Sequence, residues 1–269
     1  DYIFAYASNK NLDAKFFIKW IISSIVGLCL SLWIYIPLIN YAPYSNRSIS
    51  NGGASFEYAT NWSFHPYEIL TMILPSSYGF GDASYFGYMP FTNFPNYVGV
   101  LIFILMVFSF YKNSNITIVY FFLFLILFCL VISFGKYSPL YKIAYDWLPY
   151  FNKFRVPSMI LIVVQFSISV LASIGLSNLL SKIKNINRDI FKIILGISGT
   201  VLAISVIRYL FADFSNSQHQ NNLINDYRSS ILLNDVFFVS VLLILFVLSI
   251  WLLINKKISS EIFLSGVII

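Results

Sequence analysis

The stretch WLPYFNKFRVP, Trp147–Pro157, leads into a long apolar run, Val156–Ser181. It combines aromatic residues and prolines with two cations, Lys153 and Arg155. An arginine at the mouth of a membrane span holds an anionic head group well, and it is costly to place there without a partner. This stretch is therefore predicted to be the lip of a site on one side of a membrane, with the other segments as its scaffold.

The composition extends this reading to the whole chain. Of its 269 residues, 58% are hydrophobic and only 10% are charged, and the mean hydropathy is +0.77. A soluble domain carries roughly 25% charged residues, and apolar runs of about 18 residues or more indicate membrane helices. The sequence thus predicts an all-α fold: a polytopic transmembrane helical bundle with six spans and the start of a seventh.

The predicted spans follow the apolar runs. They cover residues 16–39, 96–111, 116–134, 156–181, 193–211 and 236–255, and a seventh begins at residue 262. The chain begins at Asp1 without an initiator methionine and ends inside an apolar run too short to cross a bilayer. Residues 1–269 are therefore expected to form a single transmembrane domain that is a fragment of a longer protein.

The distribution of lysine and arginine predicts the orientation. The side of the N-terminal lead collects ten of the 17 Lys and Arg residues and four of the 11 acids, a net charge of +6, against a net charge of zero on the other side. The more basic side is therefore predicted to be cytoplasmic, in a bacterial inner membrane. This explains the basic balance through contact with membrane lipids, without a nucleic-acid partner.

Three connections are accordingly predicted to be extracytoplasmic: residues 41–95, 135–155 and 212–235. The first is long enough to have structure of its own, including a short interfacial helix from Pro66. Four of the seven positive charges on this side lie within Lys136–Arg155, where topology does not require them. They are expected to have another use.

Lys142, Lys153 and Arg155 form the candidate lipid-phosphate-binding cluster. The planar guanidinium of arginine donates two parallel hydrogen bonds to phosphate oxygens, which suits a clamp on a lipid-linked substrate. The competing interpretation is an interfacial anchor, because aromatic residues and cations are ordinary at membrane boundaries. The sequence leaves both open.

The segment 41–95 holds the weak catalytic candidates His65, Glu68 and Asp82. A carboxylate beside an apolar face gains a raised pKa and acts as a base, and a histidine carries protons or binds metal. Each also has a structural interpretation, since Glu68 falls in the first turn of a predicted helix, His65 just precedes it, and Asp82 fits a turn. The catalytic residue is therefore left unassigned.

The same segment is rich in aromatic residues. Four of them are candidates for a wall that stacks on an acceptor or a sugar: Tyr58, Trp62, Tyr85 and Tyr88. The alternative is that they pack the segment against the membrane. No zinc spacing, phosphate-binding loop or nucleophile motif is present in the sequence, so no metal ligands are assigned, although a divalent metal stays open as a cofactor.

Several stretches resemble the YfhO-type bacterial membrane proteins, in particular Bacteroidetes-like members. These are WSFHPYEILTMILPSSYGFG, YFGYMPFTNFPNYVGVLIF and LPYFNKFRVPSMILIVVQFSISVLASIGL, within 62–180. Such proteins are similar to the GT-C glycosyltransferases, which take a sugar from a polyprenyl-phosphate carrier and attach it to an acceptor outside the cytoplasmic membrane. The resemblance implies that the catalytic carboxylate lies in an earlier outer loop, beyond this chain.

The function expected from this resemblance is glycosyl transfer from a polyprenyl-phosphate-linked sugar to a cell-envelope glycan at the outer face of the membrane. Arg155, helped by Lys153 and Lys142, would hold the carrier phosphate. Two alternatives stay open: a transporter or flippase of a lipid-linked glycan, and a non-catalytic membrane scaffold.

Overall fold

The fold was taken from a computed structural model of the chain. It describes residues 14–41, 44, 55–81, 84–110, 116–149, 151–182, 188–214, 222–255, 257–259, 262–263 and 265–266. The chain divides into two compact units, Asp1–Ser55 and Phe56–Ile269. The all-α prediction is confirmed within these ranges, which contain helices and no strand.

The first unit contains helix α1 (Ala14–Tyr41). The second unit contains α2 (Phe56–Ala59), α3 (Val100–Phe108), α4 (Ile116–Ser133), α5 (Pro139–Trp147), α6 (Leu161–Lys182), α7 (Arg188–Leu210) and α8 (Asn222–Ile254). Short 3-10 helices lie in its connections, at Pro66–Met72, Pro75–Tyr78, Gly135–Tyr137, Phe151–Lys153 and Pro157–Ile160.

Five described helices are long and apolar enough to cross a membrane. They cover Ile18–Tyr41, Ile116–Ser133, Pro157–Ser181, Phe191–Leu210 and Asn222–Ile254. Each overlaps one of the six predicted spans. Their length and composition suit a membrane protein, because each spans about 27 Å or more at 1.5 Å per residue.

The remaining predicted span, residues 96–111, differs. Its helix, α3, has nine residues and so measures only about 14 Å. The chain before it is extended: the Val98 N–H donates to the Met72 carbonyl oxygen at 3.0 Å, and Gly99 has a φ of 107°. Since Val100, Ile104, Leu105 and Phe108 are all buried, α3 is a short core helix of the second unit.

The predicted loop 212–235 also differs, because α8 already begins at Asn222. The helix is thus about 21 Å longer at this end than the apolar run suggested. One face of its polar first turns contacts residues in the ranges 76–81 and 84–85. The Asp235 carboxylate accepts from the Ser76 N–H at 2.7 Å, and the buried Arg228 donates from Nε to the Ser84 carbonyl oxygen at 3.1 Å.

We call residues 56–99 the cap. The cap is seated on α4 and α6 by one apolar cluster, which contains Phe64 and Met72 of the cap, Cys129 of α4, and Leu161 and Val164 of α6. The Phe64 N–H donates to the Ser133 carbonyl oxygen at 2.9 Å, at the end of α4. The cap is therefore a folded layer with its own backbone pairing, as its length predicted.

The contact between α3 and α6 tests this packing through a glycine. A Cβ at Gly175 on α6 would overlap the Leu105 carbonyl oxygen, whereas a Cβ at Gly196 on α7 meets nothing within 4 Å. We expect Gly175→Ala to lower the unfolding midpoint in detergent by several degrees, since overpacking costs about 1–3 kcal/mol. Gly196→Ala is the matched control and should unfold as the wild type does; equal midpoints for the two variants would contradict the packing.

Candidate functional site

Arg155 lies in an aromatic cluster with two residues of the cap. Its Nη1 donates to the Tyr58 hydroxyl at 2.8 Å, and the guanidinium carbon lies 4.2 Å from the centre of the Tyr58 ring and 4.7 Å from that of Trp62. Its Nε is buried and has no hydrogen-bond partner. The sequence named these three residues separately, and the structure brings them together.

Local backbone structure fixes this cluster. Val156 has a φ of 63°, in the left-handed region that β-branched residues rarely adopt. The strained turn is held on both sides, because the Val156 N–H donates to the Ala59 carbonyl oxygen at 3.2 Å and the Ser158 N–H to that of Trp62 at 3.3 Å. The turn thus sets Arg155 against the cap, directly before the apolar helix that begins at Pro157.

Neither lysine of the predicted cluster is among the described residues that contact Arg155. Lys142 is exposed on α5, and Lys153 is half-buried in the 3-10 helix Phe151–Lys153. The hydrogen bond and ring contacts of Arg155 are made with Tyr58 and Trp62 alone among the described residues. A clamp of three cations therefore stays a prediction, whereas the position of Arg155 is defined by contacts.

Glu68 forms the second cluster, inside the cap. The residue is only 1% exposed, and its Oε1 accepts from the Tyr85 hydroxyl at 2.9 Å and from the Tyr88 N–H at 2.7 Å. The Tyr85 hydroxyl in turn accepts from the Met89 N–H at 2.8 Å. This network ties residues 85–89 to the 3-10 helix Pro66–Met72, so Glu68 and Tyr85 act as structural centres of the cap.

The environment of Glu68 also changes its acidity. Burial raises the pKa of this carboxyl, and the hydrogen bonds from Tyr88 and Tyr85 partly oppose that rise. Burial and the adjacent Glu68 raise the pKa of the Tyr85 phenol. Gly87 makes room for the network, because a Cβ there would lie 2.6 Å from Glu68 Oε1 and would overlap the Tyr85 hydroxyl.

His65 has a defined role at the start of the Pro66–Met72 helix. Its Nδ1 accepts from the Tyr67 N–H at 3.2 Å, which caps the helix. Burial, together with the positive charge of Lys136, lowers the pKa of the imidazole. The ring is therefore neutral at pH 7, and because Nδ1 is an acceptor, the proton lies on Nε2. His65 therefore offers its Nε2–H as a hydrogen-bond donor. Its one ring acceptor, Nδ1, is occupied by the Tyr67 N–H.

The His65 ring is surrounded by tyrosines. It stacks on Tyr88 with ring centres 3.7 Å apart, and it meets the edge of Tyr137 at 4.6 Å and Tyr67 at 5.0 Å. Tyr88, one of the four predicted wall residues, is 38% exposed here, whereas Tyr85 is 9% exposed and turned into the cap. Asp82, the third catalytic candidate, lies outside the described residues.

Two arginines that the sequence did not assign to a site anchor the cap to α7 and α8. Arg208 donates from Nη2 to the Ser77 carbonyl oxygen, and its guanidinium lies 4.7 Å from the Tyr78 ring centre. Arg228 also reaches the cap, 5.5 Å from the Phe86 ring centre. A helical spacing of four, Arg228–Leu232–Val236, is the sequence signal that marks this buried face.

Neither cluster has the composition of a metal centre. Within the described ranges, no group of three or more His, Cys, Asp or Glu residues is arranged to hold a metal ion. Comparisons of the chain with protein-family models, with curated proteins and with solved structures find no match. The resemblance to YfhO-type proteins therefore stays a prediction, and the function has to be argued from geometry.

Glu68→Gln separates the structural role from the catalytic one. The amide keeps an acceptor at Oε1, so we expect the variant to fold, whereas Glu68→Ala leaves two buried donors unpaired and should cost about 1–3 kcal/mol for each. If the role of Glu68 is only structural, the folded Glu68→Gln variant keeps its activity. The catalytic hypothesis predicts that the variant folds normally and loses its activity. Thermal unfolding of the purified variants in detergent, followed by a transfer assay, distinguishes the two.

The raised pKa of Glu68 also predicts a pH dependence. The folded state binds the proton more tightly than the unfolded chain, whose carboxyl titrates near the ordinary value of 4.5. This contribution to stability is complete below that value and is lost as pH rises through the raised pKa. Relative to Glu68→Gln, the wild type should therefore gain unfolding midpoint as pH falls from 8 to 5; parallel curves would contradict the assignment.

Proposed function

We propose that this chain is part of a membrane protein that binds a polyprenyl-phosphate-linked sugar at the cap and transfers the sugar to a cell-envelope glycan. The observation that carries the proposal is the Arg155 cluster. A guanidinium stands at the start of an apolar helix, between two aromatic rings, with one buried donor unsatisfied. We place the cap on the outer face of a bacterial inner membrane, as the charge distribution predicts.

The chemistry of Arg155 suits a phosphate attached to a lipid. Ring contacts on Tyr58 and Trp62 fix the guanidinium plane, so little conformational entropy is lost when an anion binds. A phosphate oxygen bound to the guanidinium would form a charged hydrogen bond, which is worth about 1.5–3 kcal/mol. The apolar helix that follows Pro157 would lie beside the hydrocarbon chain of the same lipid.

In the proposed reaction, the bond between the sugar C1 and the phosphate oxygen breaks. A hydroxyl oxygen of the acceptor forms the new bond to C1, and its proton passes to a general base. Arg155 stabilises the negative charge that develops on the leaving polyprenyl phosphate. The general base is left unassigned, because Glu68 accepts two hydrogen bonds at one oxygen and the His65 Nδ1 is occupied.

The aromatic residues divide between the two ends of this site. Tyr58 and Trp62 accompany Arg155 at the phosphate end, and Trp62 also meets Phe91 with ring centres 5.5 Å apart. Tyr88 lies at the other end, in the exposed cluster around His65. We assign the acceptor to that second end, three residues along the cap from Trp62.

Arg155→Ala tests the proposal in membranes that contain the full-length protein and a radiolabelled polyprenyl-phosphate sugar. Loss of a charged hydrogen bond is worth about 1.5–3 kcal/mol, so we expect transfer to fall at least about tenfold. Arg155→Lys should recover only part of the activity, since it keeps the charge and loses the fork. Met159→Ala changes an exposed side chain four residues further on and serves as the matched control.

Two other outcomes would replace the proposal. If the wild type moves the labelled lipid across the bilayer without transferring sugar, the protein is a transporter of the lipid-linked glycan. If transfer by Arg155→Ala equals that of the wild type at equal expression, the Arg155 cluster is an interfacial anchor. Unfolding midpoints measured on each variant exclude a loss of fold as the cause.

A further inference from the structure

Lys136 is a cation that neither topology nor the Arg155 site explains. It lies in the connection between α4 and α5, on the face that carries the His65 cluster, and its side chain is exposed. Its Nζ lies 5.2 Å from the centre of the Tyr137 ring. Its charge reaches His65, where it contributes to the lowered pKa of the imidazole.

The backbone around Lys136 is built to a fixed geometry. The Lys136 N–H donates to the Ser63 hydroxyl at 2.9 Å, and that hydroxyl donates in turn to the Thr60 carbonyl oxygen at 2.6 Å. Gly135 has a φ of 47°, and a Cβ there would overlap Ser63 Oγ. The backbone of Lys136 is thus bound to the cap at Ser63, which lies two residues before His65.

Two half-exposed rings and one hydrogen-bond donor belong to the same cluster as this cation. Tyr88 and Tyr137 are each 38% exposed, and both contact the His65 ring, which presents its Nε2–H. Aromatic faces pack against the C–H faces of sugar rings, while a fixed donor and an ammonium bind hydroxyl and carboxylate oxygens. This combination differs from a lipid anchor, because the polar groups stand among the rings.

Glu68 is the carboxyl closest to Tyr88 in the hydrogen-bond network, and it lies 1% exposed beneath the backbone of that residue. Arg208 lies on the far side, over Tyr78, whose ring centre is 6.1 Å from that of Tyr88. The cluster therefore presents a positive edge at Lys136.

We infer that Lys136, His65, Tyr88 and Tyr137 form a subsite for a sugar that carries an anionic group, as in a uronic acid residue of the acceptor glycan. The carboxylate would pair with the Lys136 ammonium, and the sugar ring would pack on the tyrosines and accept a hydrogen bond from His65 Nε2–H. The inference rests on the proposed function for the identity of the acceptor, but its test uses binding alone.

The test uses the full chain purified in detergent, without a lipid donor, and trigalacturonate as the probe. The methyl ester of the same trisaccharide keeps the rings and removes the charge. We expect trigalacturonate to bind more tightly than its ester, and Lys136→Gln to weaken trigalacturonate by about fivefold, as for an exposed ion pair, without changing the ester. Tyr137→Leu should weaken both by a similar factor.

Lys257→Gln is the matched control. Lys257 is also exposed, and its Nζ also lies 5.2 Å from an aromatic ring centre, that of Trp251. It follows the C-terminal end of α8, whereas the cap contacts the N-terminal part of that helix. This variant should bind both probes as the wild type does. Equal affinity of the acid and the ester, or an equal effect of Lys257→Gln and Lys136→Gln, overturns the inference.

Inorganic phosphate separates sugar recognition from simple attraction of anions. If phosphate displaces trigalacturonate at a concentration equal to that of the probe, the rings contribute nothing and the subsite is wrong. Failure of the proposed function is distinguishable from failure of the subsite, because it is measured separately, as sugar transfer by the Arg155 variants. If the chain binds trigalacturonate through Lys136 but transfers no sugar, the subsite stands and the proposed transferase function is wrong.

Discussion

The cap depends on one buried acceptor, Oε1 of Glu68. A carboxyl with 1% exposure has lost its hydration, and it is tolerated because a phenol and a backbone N–H both donate to it. These hydrogen bonds hold residues 85–89 against the 3-10 helix Pro66–Met72. The backbone hydrogen bonds of the cap link short, separate turns, and this polar centre joins two of those turns through side chains.

That ordered segment explains how two separate groups of side chains become sites. Its lower side is apolar and packs through Phe64 and Met72 on α4 and α6. Its edge is held by Arg208 and Arg228 from α7 and α8, which donate to carbonyl oxygens that would otherwise be unpaired. The exposed side then has fixed positions for rings that a mobile loop would present in many arrangements.

Run length and charge counts were sufficient to predict the all-α class and five of the apolar helices. They failed for two segments whose composition fits more than one structure, α3 and the start of α8. The residues of α3 are as apolar as those of a span, and only the Gly99 backbone and the pairing of Val98 with Met72 show that the helix is short. The start of α8 is polar and contacts the cap through Arg228 and Asp235, so hydropathy alone placed it in a loop.

The site was predictable in its residue types and not in its pairing. Arg155 and Tyr58 lie 97 residues apart, and nothing in the spacing of either stretch shows that they touch. The same limit applies to Lys136: the charge counts marked it as unexplained by topology, but they did not show that Ser63 holds its backbone. Sequence patterns report local periodicity, whereas both clusters are built from contacts between distant segments.

The run from Trp62 to His65 joins the two clusters. Trp62 packs on Arg155 at one end, and His65 carries the Lys136 cluster at the other, with Ser63 and Phe64 fixed to the connection after α4 between them. Four consecutive residues span at most about 14 Å, so the two cations stand within reach of one extended ligand. Because both clusters share one fixed backbone, the proposed function would have the cap itself set the separation between a phosphate at Arg155 and an acidic group at Lys136. A protein that brings a lipid phosphate and an acceptor sugar into register needs such a fixed separation, which is the reason that we favour the proposal over a membrane anchor.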